Sequence, residues 1–221
     1  MALCVAAAVL LVGHLLTIVV DRVVGHDRFT GTEVIVRVLG MDGELNAPTW
    51  YSAAVLLLCA GLAAGIAALM RQRRLPARHW VLMSAVLAFL SLDEAALLHE
   101  ELSKPLTRSL DLDPERWEYW AWVGPYSVAA LLLVAAFARF LWRLPATTRW
   151  QIVGAGVLYV SGAAGLELIG GRFWDEGDLS VPYLLVVGAE ETLEMLGVVL
   201  LAYALLTFLR DHIGALRLEL S

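Results

Sequence analysis

The chain has 221 residues, 60% of them apolar and only 17% charged, with a formal net charge of −6. That balance excludes an ordinary soluble domain and points to a polytopic membrane protein. Nucleic-acid binding has no support, because the basic residues form short clusters between apolar runs that topology explains.

Six runs are long enough to cross a bilayer, which takes roughly 20 mostly apolar residues. They cover residues 2–20, 50–70, 80–101, 120–142, 150–169 and 181–208. The predicted fold is all-α, a transmembrane helical bundle of about six spans forming one domain over residues 1–221. No Lys or Arg precedes residue 22, so the first run reads as an uncleaved span rather than a signal peptide. His14 lies within it and reads as a hydrogen-bonded helix contact. In the following loop, residues 29–39 fit a short interfacial helix. Asn46-Ala47-Pro48-Thr49 then reads as a helix start, with an N-cap and a proline in the first turn. Gly61 and Gly65, like Ser161 and Gly165, form small-xxx-small pairs suited to close helix packing. Cys4 and Cys59 read as buried small hydrophobes rather than a disulfide.

Tryptophans mark the ends of these runs. Trp50, Trp80, Trp142 and Trp150 fall at predicted limits, Trp117, Trp120 and Trp122 cluster at the fourth entry, and Trp174 follows the fifth. An amphipathic ring prefers the headgroup level. Arg71, Arg73, Arg74 and Arg78 crowd the second connection, Arg139, Arg143 and Arg149 flank the fourth, and Arg210 and Arg217 follow the last run. The positive-inside rule makes these ends, and both termini, cytoplasmic.

The acids lie toward the opposite side. Counting about 1.5 Å per residue, Asp93 and Glu94 lie roughly 10 Å inside a hydrocarbon core about 30 Å thick. Glu167 lies about 5 Å inside, and Glu190, Glu191 and Glu194 roughly 13–20 Å. On a continuous helix over 80–101, Asp93 and Glu100 share one stripe, Glu94 and Glu101 a parallel one, and His99 falls outside both. Glu190, Glu191 and Glu194 share one face. Such acids cost a few kcal/mol each at mid-membrane, so protonation, water or a bound cation must compensate them. Plainer readings exist: Glu167 as a helix-to-helix hydrogen bond, His99 as an interfacial histidine, and Glu100 and Glu101 as solvated headgroup-level acids. The third, fifth and sixth spans are expected to be mutual neighbours around the site.

Carboxylates suit hard divalent cations, and one imidazole widens the choice. The candidate ligands of a divalent metal cation are Asp93, Glu94, His99, Glu167, Glu190, Glu191 and Glu194. Asp93, Glu94, His99 and Glu191 are the candidate acid–base groups. No Glu-x-x-His, His-Glu-x-x-His or Gly-x-Ser-x-Gly pattern narrows the chemistry. Two classes remain. One is a metal-assisted membrane enzyme or ligand-binding protein acting on a lipid or other amphiphile. The other is a proton or divalent-cation transporter or channel using the same acids. The nearly apolar cytoplasmic halves of the spans favour a one-sided site.

Two stretches, Asp42-Gly-Glu-Leu-Asn-Ala-Pro-Thr-Trp-Tyr-Ser52 and Leu92-Asp-Glu-Ala-Ala-Leu-Leu-His-Glu100, resemble uncharacterised six-span membrane proteins of bacteria. The resemblance implies a bacterial inner membrane and carries no activity. It marks Asp42, Glu44 and Asn46 as possible lids over the site.

Overall fold

The computed structural model describes residues 1–24, 30–43, 45–111, 121–173 and 180–213. Among these, six helices are long and apolar enough to cross a membrane: α1 (Ala2–Val24), α3 (Ala47–Gln72), α4 (Arg78–Ala96), α6 (Val123–Leu141), α7 (Ala146–Gly170) and α8 (Val181–Phe208). Two shorter helices, α2 (Thr30–Leu39) and α5 (Leu98–Ser109), lie between them. The described residues contain no strand.

Local chemistry sets the ends. Asn46 accepts from the Thr49 amide at 2.9 Å and donates to the Gly40 carbonyl at 2.6 Å, with Pro48 in the first turn. Asn46 therefore caps α3 rather than covering a site. Glu44 lies outside the described residues. Ser180 caps α8 in the same way, accepting from Tyr183, with Pro182 in the first turn. Helices α3 and α8 thus start at one end of the bundle, called here the site end. The arginines Arg71, Arg73, Arg74, Arg78, Arg143, Arg149 and Arg210 gather at the far end, where α3, α6 and α8 finish and α4 and α7 begin.

Helix α2 returns along α1, with the Leu39 side chain seated at Gly13. His14 closes this corner. It is fully buried; its Nδ1 accepts from the Met41 amide at 3.0 Å and its Nε2 donates to the Leu184 carbonyl at 2.9 Å. A backbone N–H can only donate, so this ring is the neutral Nε2–H tautomer. Tyr51 donates to the Leu3 carbonyl at 2.8 Å, which ties α1 to α3.

The far half of the bundle is an apolar core. Ala60, Ala63 and Ile66 of α3 meet Trp80 and Met83 of α4 and Val198, Ala202 and Leu205 of α8. Along the α3–α4 seam, Ser84 donates to the Ala60 carbonyl and Ser91 to the Ala53 carbonyl, at 2.9 and 2.8 Å. Trp80 is only 2% exposed and sits between the rings of Phe140 and Phe208. It is a core residue, unlike Trp50, Trp142 and Trp150, which are exposed at helix ends as expected of a headgroup belt. Trp117, Trp120 and Trp174 lie outside the described residues.

The small residues differ from expectation. A Cβ added at Gly61, Gly65 or Gly165 would meet nothing within 4 Å, and Ser161 is exposed. The close approaches fall at Ala60 and Ala63 on α3 and at Gly162 on α7. One residue of shift turns a side chain about 100° round a helix, and the sequence spacing does not say which of two adjacent stripes is inside. Both cysteines are free, with Cys59 buried and Cys4 exposed on the outer surface of α1.

Helix α8 packs against α7, α3 and α1, whereas α4 packs along α3 and reaches α8 through the ring of Trp80 on Phe208. The fifth and sixth spans are neighbours as expected; the third is set off from them by α3. Helix α6 is attached most lightly. Its bundle-facing stripe, Tyr126, Ala130, Leu133, Phe137 and Phe140, is only half-buried, and none of its residues is fully buried. His79 stacks on Phe140 at its far end, and Tyr126 and Trp122 hold its site end.

Candidate functional site

The site begins where α4 stops. Leu97 adopts φ 56°, ψ 37°, and its amide closes the last turn on the Asp93 carbonyl. A left-handed conformation costs a non-glycine residue roughly 1–2 kcal/mol. This break overturns the continuous helix over 80–101 and the acidic stripes built on it. Residues 98–109 turn away as α5, and Glu101 is exposed and paired with Lys104 at 3.4 Å. The same turn folds His99 back over α4. Its Nδ1 lies 3.2 Å from Asp93 Oδ2, although a straight helix would have kept them apart.

Asp93 is 6% exposed and receives a second partner: the Tyr126 hydroxyl donates to its Oδ1 at 2.7 Å. Both carboxyl oxygens are therefore engaged, one from α5 and one from α6. Trp122 stands edge-on to His99 at 4.8 Å and to Tyr126 at 5.4 Å, and its amide donates to Ser103 Oγ. The result is a Tyr–Asp–His chain walled by an indole.

The second half of the site is carried by α7 and α8. From Ser161 to Leu166, α7 widens into a π-helical turn, an irregularity often found at functional sites. Gly162 in this turn touches α8, where a Cβ would come within 2.8 Å of both the Glu190 carbonyl and Glu194 Cγ. Just beyond, Glu167 and Glu190 are hydrogen-bonded to each other through their side chains. Glu194, 9% exposed, lies within electrostatic reach of Glu191, Glu94, Glu190 and Glu167. Tyr159, on the preceding turns of α7, lies within reach of Glu194, Glu94, Asp93 and Glu191, which links the two halves.

The structure thus brings Asp93 to His99, Glu167 to Glu190, and Glu94, Glu191 and Glu194 into one electrostatic neighbourhood. It does not bring the seven candidate metal ligands into a common shell: among the described residues, no three His, Cys, Asp or Glu side chains converge to hold a metal ion.

Sequence reasoning missed Tyr126, Tyr159, Trp122 and Ser52. Ser52 is 2% exposed, and its Oγ has no hydrogen-bond partner among the described residues. Helices α3 and α8 run parallel, and Cys59 Sγ reaches the Val198 carbonyl at 3.6 Å. Two turns toward the site end on both helices stand Ser52 and Glu191. Ser52 lies on the same stripe of α3 as Cys59, which meets α8.

Six apolar helices carrying a paired set of acids and aromatics toward one end define a polytopic helical membrane protein. The chain belongs to the family described as Domain of unknown function (DUF8692), whose model matches residues 2–208. No curated protein and no solved structure matches it.

Proposed function

We propose that this chain is a bacterial inner-membrane protein that binds an amphiphile, or acts on one, at a site opening to the outer face. Asp93, Glu94, His99 and Glu191 are its acid–base groups. The observation that carries this reading is the Tyr126–Asp93–His99 chain, in which a buried carboxyl is held by two proton-bearing partners from separate helices. Such a chain orients a proton donor and acceptor beside a ligand. The light attachment of α6 supports an amphiphile, because a tail can lie along its half-buried stripe while the head reaches the acids. The arginines at the far end support an outward-facing site and cytoplasmic termini.

A divalent cation among the acids is the companion proposal. It requires Glu190, Glu191 and Glu194 to draw together, since Asp93 is already engaged at both oxygens. The transport alternative draws on the Glu167–Glu190 pair. Against it stands the far half, whose core among the described residues is built of apolar side chains such as Ile66, Met83, Leu205 and Phe208. Lipid extraction and mass spectrometry of the purified protein, beside Asp93→Asn and Glu191→Gln, test the main reading. One co-purifying amphiphile, depleted in both variants, is the expected result. Equal retention by the parent and both variants refutes it.

A further inference from the structure

We propose that an anionic phospholipid seats its phosphate on Arg149, at the far end of the bundle, and lays its chains in the crevice between α6 and α7. This site is separate from the carboxyl groups and goes beyond the reading above. Arg149 is held between two indoles. Its guanidinium carbon lies 4.6 Å from the centre of the Trp142 ring and 5.5 Å from that of Trp150, and its Nη1 donates to the Trp142 carbonyl at 3.4 Å. A long cationic side chain is thereby fixed in place before a ligand arrives, which lowers the ordering cost of binding.

The fixed guanidinium lacks an anion. Among the described residues its buried Nε has no hydrogen-bond partner, and no carboxylate pairs with it. Lys104 and Arg210, by contrast, are paired with Glu101 and Asp211. A half-buried charge without a counter-ion is costly, and a phosphate suits a guanidinium fork through two parallel N–H···O bonds. Exposed Arg139 and Arg143 stand at the end of α6 and in the turn after it. The described acid of the far end, Asp211, is already held by Arg210 at 2.6 Å. A zwitterionic head would therefore bring its ammonium to a face where no described carboxylate is free.

The backbone leaves room for the tails. Helices α6 and α7 are joined by residues 142–145, yet they do not pack along each other beyond that turn. Where the turn closes the crevice, the rings of Trp142 and Trp150 meet edge to face at 6.5 Å. The stripe of α6 that carries Trp142 continues through Ala138, Ala135 and Leu131, and the stripe of α7 that carries Trp150 continues through Val157. All four are apolar and exposed. Two indoles and an arginine thus stand at headgroup level below a strip of acyl-chain surface, and basic pockets between membrane helices are places where anionic lipid heads bind. A free phosphate would use the arginine and leave the strip idle.

The test uses the full chain in detergent micelles, with phosphatidylglycerol, phosphatidylcholine and sodium phosphate as probes and native mass spectrometry as the readout. The parent should hold phosphatidylglycerol about tenfold more tightly than phosphatidylcholine. Arg149→Gln should bring the two lipids to parity. Arg149→Lys should recover only part of the preference, because an ammonium keeps the charge but neither the fork nor the ring stacking. Arg71→Gln, at an exposed arginine of the same end, should leave the preference unchanged. Phosphatidylglycerol with a diazirine in its chain should label residues 131–142 and 150–157 in preference to α1. Equal binding of the two lipids by the parent overturns the proposal and needs no variant to fold. Displacement of phosphatidylglycerol by equimolar sodium phosphate overturns it in favour of a soluble anion. An equal loss in Arg71→Gln and Arg149→Gln overturns it in favour of diffuse charge, and labelling of α1 as strong as that of α6 and α7 removes the crevice.

Discussion

The bond between Tyr126 and Asp93 ties α6 to α4 at the site end, and breaking it has a calculable consequence. Tyr126→Phe removes a hydroxyl 2.7 Å from a carboxyl oxygen that is buried in a 6%-exposed residue. A hydrogen bond to a charged group contributes about 1.5–3 kcal/mol in soluble proteins, whereas inter-helix bonds in membranes average about 0.6 and reach about 1.7 kcal/mol. The shortness of this bond and the burial of Asp93 place it in the upper part of the membrane range, at about 1–2 kcal/mol. Asp93→Asn keeps the shape but offers one amide oxygen where two acceptors stood, so either Tyr126 or His99 then faces an NH₂. It should cost at least as much as Tyr126→Phe. The two changes remove a shared interaction, so the double variant should be less destabilised than the sum by about 1 kcal/mol. Reversible unfolding of the four proteins in mixed micelles, followed by helical circular dichroism, measures this. Additivity within about 0.3 kcal/mol would refute the coupling, and with it the Tyr–Asp–His chain as a single unit.

Other substitutions probe the supporting geometry. Leu97→Gly should raise stability by about 1 kcal/mol because the left-handed turn suits glycine, while Leu97→Val should lower it; thermal melts that rank them the other way would contradict the break. Gly162→Ala should destabilise by about 1–3 kcal/mol through contact with α8. Gly61→Ala, where a Cβ meets nothing, should be neutral or stabilising by up to about 1 kcal/mol in the same unfolding assay. His14→Ala leaves the Met41 amide and Leu184 carbonyl without their buried partner. It should cost about 1–3 kcal/mol, with increased proteolysis between α2 and α3 as a second readout. A cysteine at Leu75 should resist membrane-impermeant thiol reagents in intact cells; rapid labelling there reverses the proposed orientation.

Much of this fold is legible in the sequence because span number and limits depend on long-range contrast between apolar runs and polar connections. The start of α3 is legible for a local reason, since Asn46 is a side chain that caps, with a proline in the first turn. A short helix ending at Leu39 stands where the sequence reading places one. The site is less legible. A left-handed leucine leaves no compositional mark, as a glycine or asparagine would, so the fold-back of His99 onto Asp93 could not be read. Tyr126 and Trp122 sit where aromatic residues usually anchor a span, which hides their contacts with the site. Ser52 looks like any small helix residue until the register with α8 is known. The acids of α8 are the exception, because three carboxyl groups on one face of an apolar helix stand out in any register.

The π turn over Ser161–Leu166 makes the spacing of α7 a heritable variable. A π turn holds one more residue than the α turn it replaces, so it can be lost by deletion of a single codon. Because the widened turn absorbs that residue, such a deletion restores an α turn and leaves Tyr159 and Glu167 each on its own face of α7. A change of one residue in this six-residue window therefore spares the carboxyl pair, where the same change in a regular stretch of the helix would turn one side of it by about 100° against the other.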